Sequence, residues 1–446
     1  RPWLRRYVGL SFPRVAVSVA VARRWSRSFV LASLRALHLD QLLVDGVSAC
    51  IAGRVGCGRE TGAPASAPTN TPAGMAAREI HCEEAVVIGQ RTSVGLDVHA
   101  RSVAACGLDG QTGELFERRL TPDHGELLAW LGSLPGPVAV AYEAGPTGFG
   151  LARFLAGHQV GCLVAAPSKL QRPAGDRVKT DVRDARHLAR LLHLGEIVAV
   201  AVPSAEREAA RDLVRAREDA RRDLMSARHR VSKLLLRHGI VYYSGRPWTC
   251  RHDHWLRSQR LPQSGTQLAF DTAYDAMIAT LGRRDRLDEV VTTMAADSEY
   301  APVVTRLGCL RGVSTLTAFG LAVEVGEWER LSGRTIGAFL GLVPSEYSSG
   351  ASRSRGPITK TGNGHARRLL IEAAWHHRKP YRPSLVMARR WEKASPAARE
   401  RGKRGNLRLH ARWEVFDARQ KRAVVANTAI ARELAGWCWS LAVLED

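Results

Sequence analysis

Residues 93–121, SVGLDVHARSVAACGLDGQTGELFERRLT, fall into three short runs rich in β-branched and apolar residues, separated by turn signals such as DGQTG. That pattern predicts three antiparallel strands. A helical run follows (124–134, HGELLAWLGSL), then a buried strand (137–145, PVAVAYEAG), a helix (147–158, TGFGLARFLAGH) and another strand (159–167, QVGCLVAAP). A β-meander running into alternating helices and strands is the order of an α/β domain with a mixed five-stranded sheet.

The next stretch, KTDVRDARHLARLL from Lys179, opens a helix with Asp181 and Asp184 three residues apart. Taken alone, such a pair is accounted for by an N-cap and a first-turn acid favoured by the helix dipole. Two further acids change that reading. Asp97 lies on the first predicted strand and Glu143 ends the fourth, positions where a ribonuclease-H-like sheet displays carboxylates. Four carboxylates held together repel one another and lift their own pKa values unless a cation offsets them, and a hard, oxygen-preferring ion such as Mg²⁺ does so. An ion held this way can activate an oxygen nucleophile and steady the leaving oxygen of a phosphodiester. The predicted metal ligands are therefore Asp97, Glu143, Asp181 and Asp184, in a ribonuclease-H-like α/β domain spanning residues 93–204.

The surrounding charge agrees with a polyanionic substrate. Among 446 residues, 65 Lys and Arg face 43 Asp and Glu, a formal charge of +22, which favours nucleic acid over an acidic metabolite. No apolar run approaches the roughly twenty residues of a membrane span, and no amphipathic stretch suits a lipid surface. Eight cysteines without a CxxC pair suggest a reducing, cytoplasmic setting. Cys250, His252 and His254 form a lone C-x-H-x-H with no second half-site, and no zinc is assigned to them. The first methionine is Met75, after an Ala/Pro/Thr-rich stretch, so residues 1–74 are expected to lie ahead of the native start and residues 1–92 to form a disordered or non-native extension.

Beyond the sheet, residues 205–237 carry Leu213, Ala216, Ala220, Leu224, Ala227, Val231 and Leu234 at three- and four-residue steps, a coiled-coil-like seam. A second helical region near 266–297 is expected to return antiparallel to it, after a polar insert at 244–262; together they make a helical arm over 205–300. LGCLRGVSTLTAFGLAVEVG, from Leu307, has the helix, Gly-bearing turn, helix rhythm of hairpins whose turn amides reach a DNA phosphate. A Gly- and Ser-rich loop then brings five cations, Arg353, Arg355, Lys360, Arg367 and Arg368, into a helix. Residues 378–422 hold fifteen Lys or Arg against four acids, half the excess charge of the chain, so a basic helical tail over 381–446 is expected to grip a phosphate backbone.

The stretches VGLDVHA, YEAGPTGFGLARFL, PSKLQRPAGDRVKTDVRDARHLARLL, GLVPSEYSSG, GPITKTGNGHARRLLIEAAW and AIARELAGWCWSL, in that order over residues 93–440, resemble the motifs of the DEDD transposases of the insertion-sequence-110 family, which includes the Piv-type DNA invertases. The resemblance implies a Holliday-resolvase-like catalytic domain, a coiled-coil arm and a mainly helical transposase domain (301–380) that carries a serine nucleophile. It assigns the metal ligands to the same four acids, and the nucleophile to Ser349 in YSSG, with Ser348 as the second choice. It also implies DNA as substrate, a bridge RNA as guide and a homo-oligomer as the working form. On the residues alone, Ser349 reads as a turn hydroxyl before Gly350.

Three other readings compete. An actin-like kinase also opens with a Gly-x-Asp strand, but it wants a hydroxyl or a glycine turn after the aspartate, and Val98 and His99 supply neither. A Holliday-junction nuclease would use the acids without the serine. An architectural nucleic-acid-binding protein needs only the basic tail, and four aligned acids are a liability beside phosphate.

Overall fold

A computed structural model describes residues 90–170, 180–350 and 352–445. The expectations for residues 1–74 and for most of 1–92 lie outside the described residues.

The first three runs pair as predicted. β1 (Thr92–Val98) runs antiparallel to β2 (Val103–Asp109), with Asp97 opposite Ala104, and β2 runs antiparallel to β3 (Leu115–Leu120). The turn between β2 and β3 is closed by Asp109, whose Oδ1 accepts the Gln111 amide at 2.8 Å while its carbonyl accepts the Gly113 amide at 2.8 Å. α1 (His124–Gly132), capped by Asp123, then crosses over to β4 (Val138–Glu143), parallel to β1. α2 (Gly150–Gly157) leads to β5 (Gly161–Ala165), parallel to β4. The sheet order is β3-β2-β1-β4-β5, a mixed α/β layer with five strands.

The two faces of this sheet differ in bulk. Val94, Leu96, Val140 and Tyr142 point into one core with Leu127, Leu131, Leu151 and Leu155 of α1 and α2. The opposite face is small at its centre, with Gly95, Ala104, Ala139 and Ala141, and against it lies α3 (Asp181–His193), burying Ala185, Ala189 and Leu192. Alternation of side chains along each strand dictates this division.

α4 (Ala205–Arg237), capped by Ser204, is a rod of 33 residues, on the order of 50 Å at 1.5 Å per residue. It pairs with α6 (Ser264–Asp297), and the direction is antiparallel as expected, since Val231 and Leu235 share a core with Phe270 while Arg217 bonds Asp288 at 2.6 Å. The seam follows the expected one only toward the tip. Ala220, Leu224, Ala227 and Val231 are buried, but Leu235 replaces Leu234, and Ala216 is exposed while Ala210, Val214 and Glu218 are buried. The stripe turns because the lower half of α4 faces a second body: Ala210 and Val214 join that body's core. The polar insert is partly helical. Its α5 (Cys250–Arg257) closes the tip of the hairpin, with Leu256 and Trp255 in the tip core. His252 is buried among Tyr242, Trp248 and Trp255 and accepts the Trp248 amide on Nδ1 at 3.1 Å, whereas Cys250 and His254 are exposed.

The second body comprises α7 (Ala301–Leu307), α8 (Thr315–Val325), α9 (Ile336–Phe339), a ribbon of β6 (Pro344–Ser349) and β7 (Ser352–Ile358), α10 (Gly364–Ala374), α11 (Leu385–Trp391), α12 (Pro396–Ala418) and α13 (Ala423–Ala442). One core unites it: Leu307, Phe319 and Leu370 pack with Leu409, Trp413 and Ile430. The boundary expected at residue 381 therefore divides no core, because the apolar faces of α12 and α13 complete the one begun by α7, α8 and α10. The basic tail is the outer surface of a folded layer.

Candidate active site

The acids are assembled by the strand register. Leu96 pairs with Tyr142 across the parallel β1–β4 ladder, so Asp97 and Glu143, one residue further on, both fall at the carboxyl ends of their strands on the small-residue face. Gly95 decides how near α3 can come. A Cβ there would lie 2.1 Å from the Ala185 carbonyl oxygen and 2.4 Å from the Ala189 nitrogen, so only glycine lets the helix rest directly on β1. With α3 seated, its first turn, capped by Thr180, stands over the end of β1 and carries Asp181 and Asp184 there.

Three groups meet most closely. His99 Nε2 lies 3.2 Å from Asp97 Oδ2 and 3.7 Å from Asp181 Oδ1, and ligand atoms of Asp97, His99 and Asp181 all lie within 4.8 Å of one another. Arg119 of β3 approaches Asp181 at 4.0 Å. Burial pushes the Asp97 carboxyl above its usual range, His99 opposes that, and the charges of Asp181 and Asp184 add to it. Asp184 thus acts on Asp97 electrostatically, while Glu143 is exposed at its strand end; among the described residues neither belongs to the closest group of three.

His99 was not singled out from sequence as a site residue. Its signal was available: it stands two residues after Asp97 at a strand end, and that spacing returns a side chain to the same face. Two carboxylates and one imidazole with ligand atoms this close fit a divalent cation.

The serine motif lies elsewhere, on the second body. The expected Gly- and Ser-rich loop is a two-stranded antiparallel ribbon with Ser349 paired to Ser352 at its tip and Gly350 in the left-handed region, φ +57°. Directly opposite residues share a face. Glu346, Ser348, Arg353 and Arg355 form a charged face, and Tyr347, Ser349, Ser352 and Ser354 a hydroxyl face. Ser348 donates to Glu346 Oε1 at 2.9 Å, and Arg353 Nε reaches the same oxygen at 3.0 Å, which with Ser348 holds the Glu346 carboxyl below its usual range. Ser349 is exposed.

The five cations expected to bind nucleic acid separate into two groups. Arg353, Arg355 and Lys360 are exposed on the ribbon and the turn after it. Arg367 instead donates to the carbonyls of Leu340 and Thr361 at 2.9 and 2.8 Å, and Arg368 is tied to Glu218 and Glu372, so both hold the fold together. The hairpin of α7 and α8 likewise spends turn amides internally: Arg311 N donates to Asn406 Oδ1 at 2.8 Å and Val313 N to the Leu310 carbonyl at 3.2 Å. Those amides are not presented to a phosphate, because α12 packs against the turn.

Residues 94–240 match the family model for the DEDD transposase domain of the IS110 type, and residues 304–385 match the model described as "Transposase IS116/IS110/IS902 family". The chain is similar to "Putative transposase y4qE" of Sinorhizobium fredii, 42% identical over 308 residues that cover 68% of this chain and 75% of that protein. It is also similar to "Transposase for insertion sequence element IS1533" of Leptospira borgpetersenii, 29% identical over 75% of this chain and 99% of that protein. "Transposase for insertion sequence element IS1328" of Yersinia enterocolitica is 27% identical over 64% of this chain and 83% of its own length.

Proposed function

This chain belongs to the IS110 family of insertion-sequence transposases, and from that premise we propose a chemistry: DNA strands are cut and rejoined at a Mg²⁺ site of Asp97, Glu143, Asp181 and Asp184, with Ser349 as nucleophile. The observation that carries the reading is the convergence of Asp97 and Asp181 around His99, which Gly95 makes sterically possible. Strand order β3-β2-β1-β4-β5, with acids at the ends of β1 and β4 and at the start of the helix on that face, supports a ribonuclease-H-like catalytic domain.

A divalent ion bound there would supply charge to offset a phosphodiester and polarise its oxygens. The residues themselves do the positioning. Asp97 is partly desolvated, so a cation would favour its ionised form, and Arg119 adds positive charge on the side of Asp181. On the ribbon, the Ser348 hydroxyl is committed to Glu346, whereas Ser349, exposed at the tip, lies on the other face from that carboxylate. Its oxygen would bond to phosphorus as a deoxyribose oxygen leaves with the serine proton, and Arg353 and Arg355, on the other face of the ribbon, would add positive charge near the strand. Acids and serine sit on different bodies, so exchange requires them to be joined around one DNA, in our reading within a homo-oligomer.

Site choice is read as the task of an element-encoded bridge RNA. The chain has abundant cations for phosphates, which position a nucleic acid without reading its bases. Magnesium titration of the wild type and Asp97→Ala by calorimetry, with recombination assays on both, tests the metal site; equal binding and activity in the variant would remove it. Sequencing nucleic acid that co-purifies with the protein from its host tests the guide, and sequence-specific recombination by RNA-free protein would exclude it.

A further inference from the structure

Behind the ribbon lies a groove of about 1750 Å³, bounded by α9, α12, α13 and the base of β7. That is larger than the clefts of roughly 300–1,000 Å³ that enclose small ligands. Arg334, Arg404, Lys421, Arg422 and Arg432 line it, all exposed, and none has a carboxylate partner among the described residues. Arg355, Arg401 and Arg412 add to them. The one acid in the lining, Glu433, is already held by Arg408 at 3.0 Å and Arg412 at 3.1 Å. Like charges gathered around one concavity without counter-charges destabilise the free protein, and a polyanion relieves that cost.

The floor is apolar, which the backbone of a duplex does not require. Trp437 and Trp439 reach into the lining, and Trp437 packs on α12 where Gly405 leaves room: a Cβ there would lie 3.0 Å from the indole. Trp439 is fixed by donating Nε1 to the Trp328 carbonyl at 3.1 Å. Val424 and Val425, 60% and 52% exposed, stand in water beside Arg422. Cations around an aromatic and aliphatic floor are what an unpaired strand uses, its phosphates on the rim and its bases against the floor; paired bases in a duplex have no such contact to make.

We propose that this groove binds an unpaired DNA strand, with Arg404, Lys421, Arg422 and Arg432 on its phosphates and Trp437 and Val424 against its bases. The proposal rests on the transposase reading, in which strands are separated during exchange, and it places that strand on a surface apart from the acid cluster and adjoining the base of the serine ribbon.

Fluorescence anisotropy on the full chain tests it, with labelled single-stranded DNA of about twelve nucleotides, within the usual range of single-strand sites, the RNA of the same sequence and the matching duplex. In the triple variant Arg404→Ala, Arg422→Ala, Arg432→Ala, single-stranded DNA affinity is expected to fall at least about tenfold, and the slope of log affinity against log salt to flatten by about 2, as for three lost single-strand phosphate contacts. Duplex affinity should change less than about threefold. Val424→Asp, an exposed single change, should weaken the single strand in the same direction. Melting curves confirm that both variants are folded. Unchanged single-strand binding, an equal loss on duplex, or tighter binding of the RNA each overturns the groove assignment. A wild-type chain that binds none of the three probes overturns the groove assignment together with the proposed DNA chemistry, whereas one that binds the duplex but not the single strand overturns the groove alone.

Discussion

Arg215 of α4 and Glu324 of α8 meet through two hydrogen bonds, 3.1 and 2.9 Å, and the Glu324 side chain is fully buried. The same carboxylate accepts from Asn363 Nδ2 at 2.6 Å and contacts His365 Nδ1 at 3.0 Å. One acid thus ties the base of the long hairpin to the helix that follows the serine ribbon. Removing it leaves cationic and polar groups buried without a partner, so Glu324→Ala is expected to cost about 3–5 kcal/mol, read as a fall in denaturant midpoint. An unfolding free energy within about 0.5 kcal/mol of wild type would show that the junction carries no stability.

Acid should weaken the fold in two stages. Burial lowers the His377 pKa from 6.5 to about 4, so its neutral form contributes stability fully present above pH 6.5 and lost as pH falls toward about 4. Glu324 is lowered from 4.5 to about 2, chiefly because hydrogen bonds from His365 and Arg215 outweigh its desolvation, and its contribution is lost as pH falls from 4.5 toward 2. Melting temperature should decline first below pH 6.5, and His377→Leu should flatten that first stage alone. An unchanged slope in that variant would assign the decline elsewhere.

Gly95→Ala should separate α3 from β1. The added methyl meets helix backbone, which cannot rotate away, so the cost is that of overpacking, about 1–3 kcal/mol or more, together with displacement of Asp181 from Asp97. Metal titration by calorimetry is expected to weaken more than the melting temperature falls. Wild-type metal affinity in a folded Gly95→Ala protein would mean that the close approach is not what assembles the acids.

Ser349→Ala should abolish a covalent protein–DNA adduct on denaturing gels, whereas Ser348→Ala should retain it, since the Ser348 hydroxyl is bound to Glu346. The reverse outcome would make Ser348 the nucleophile, with Glu346 as its base.

Much of the sheet domain was legible because strand alternation is a local signal: Val94 and Leu96 against Gly95 and Asp97 fix which face the acids take. The phase of α4 below Ala220 was not, because burial of Val214 and Glu218 depends on a body formed almost a hundred residues later in the chain. The same distance concealed Arg368, which looks like a phosphate ligand beside Arg367 until α4 brings Glu218 to it. The ribbon was missed because its serines, glycines and arginines have low strand propensity, and cross-strand pairs such as Glu346 with Arg353 stabilise it instead. The family motifs located Ser349; its exposure and the commitment of Ser348 to Glu346 are properties of the ribbon's register.

That register has a parity. Between Pro344 and Glu346 the ladder slips, with Pro344 opposite Ile358 but Glu346 opposite Arg355, so the two strands carry unequal numbers of residues there. Everything beyond the slip inherits its orientation from that one irregularity. Deleting or inserting a single residue at Ser345 would turn the distal ribbon over relative to its base, carrying Ser349 to the side on which Ser348 now lies, while Glu346, Ser348 and Arg353, all beyond the slip, stay together. The side of the molecule to which Ser349 is presented is thus written in an odd or even count of residues at the far end of the ribbon.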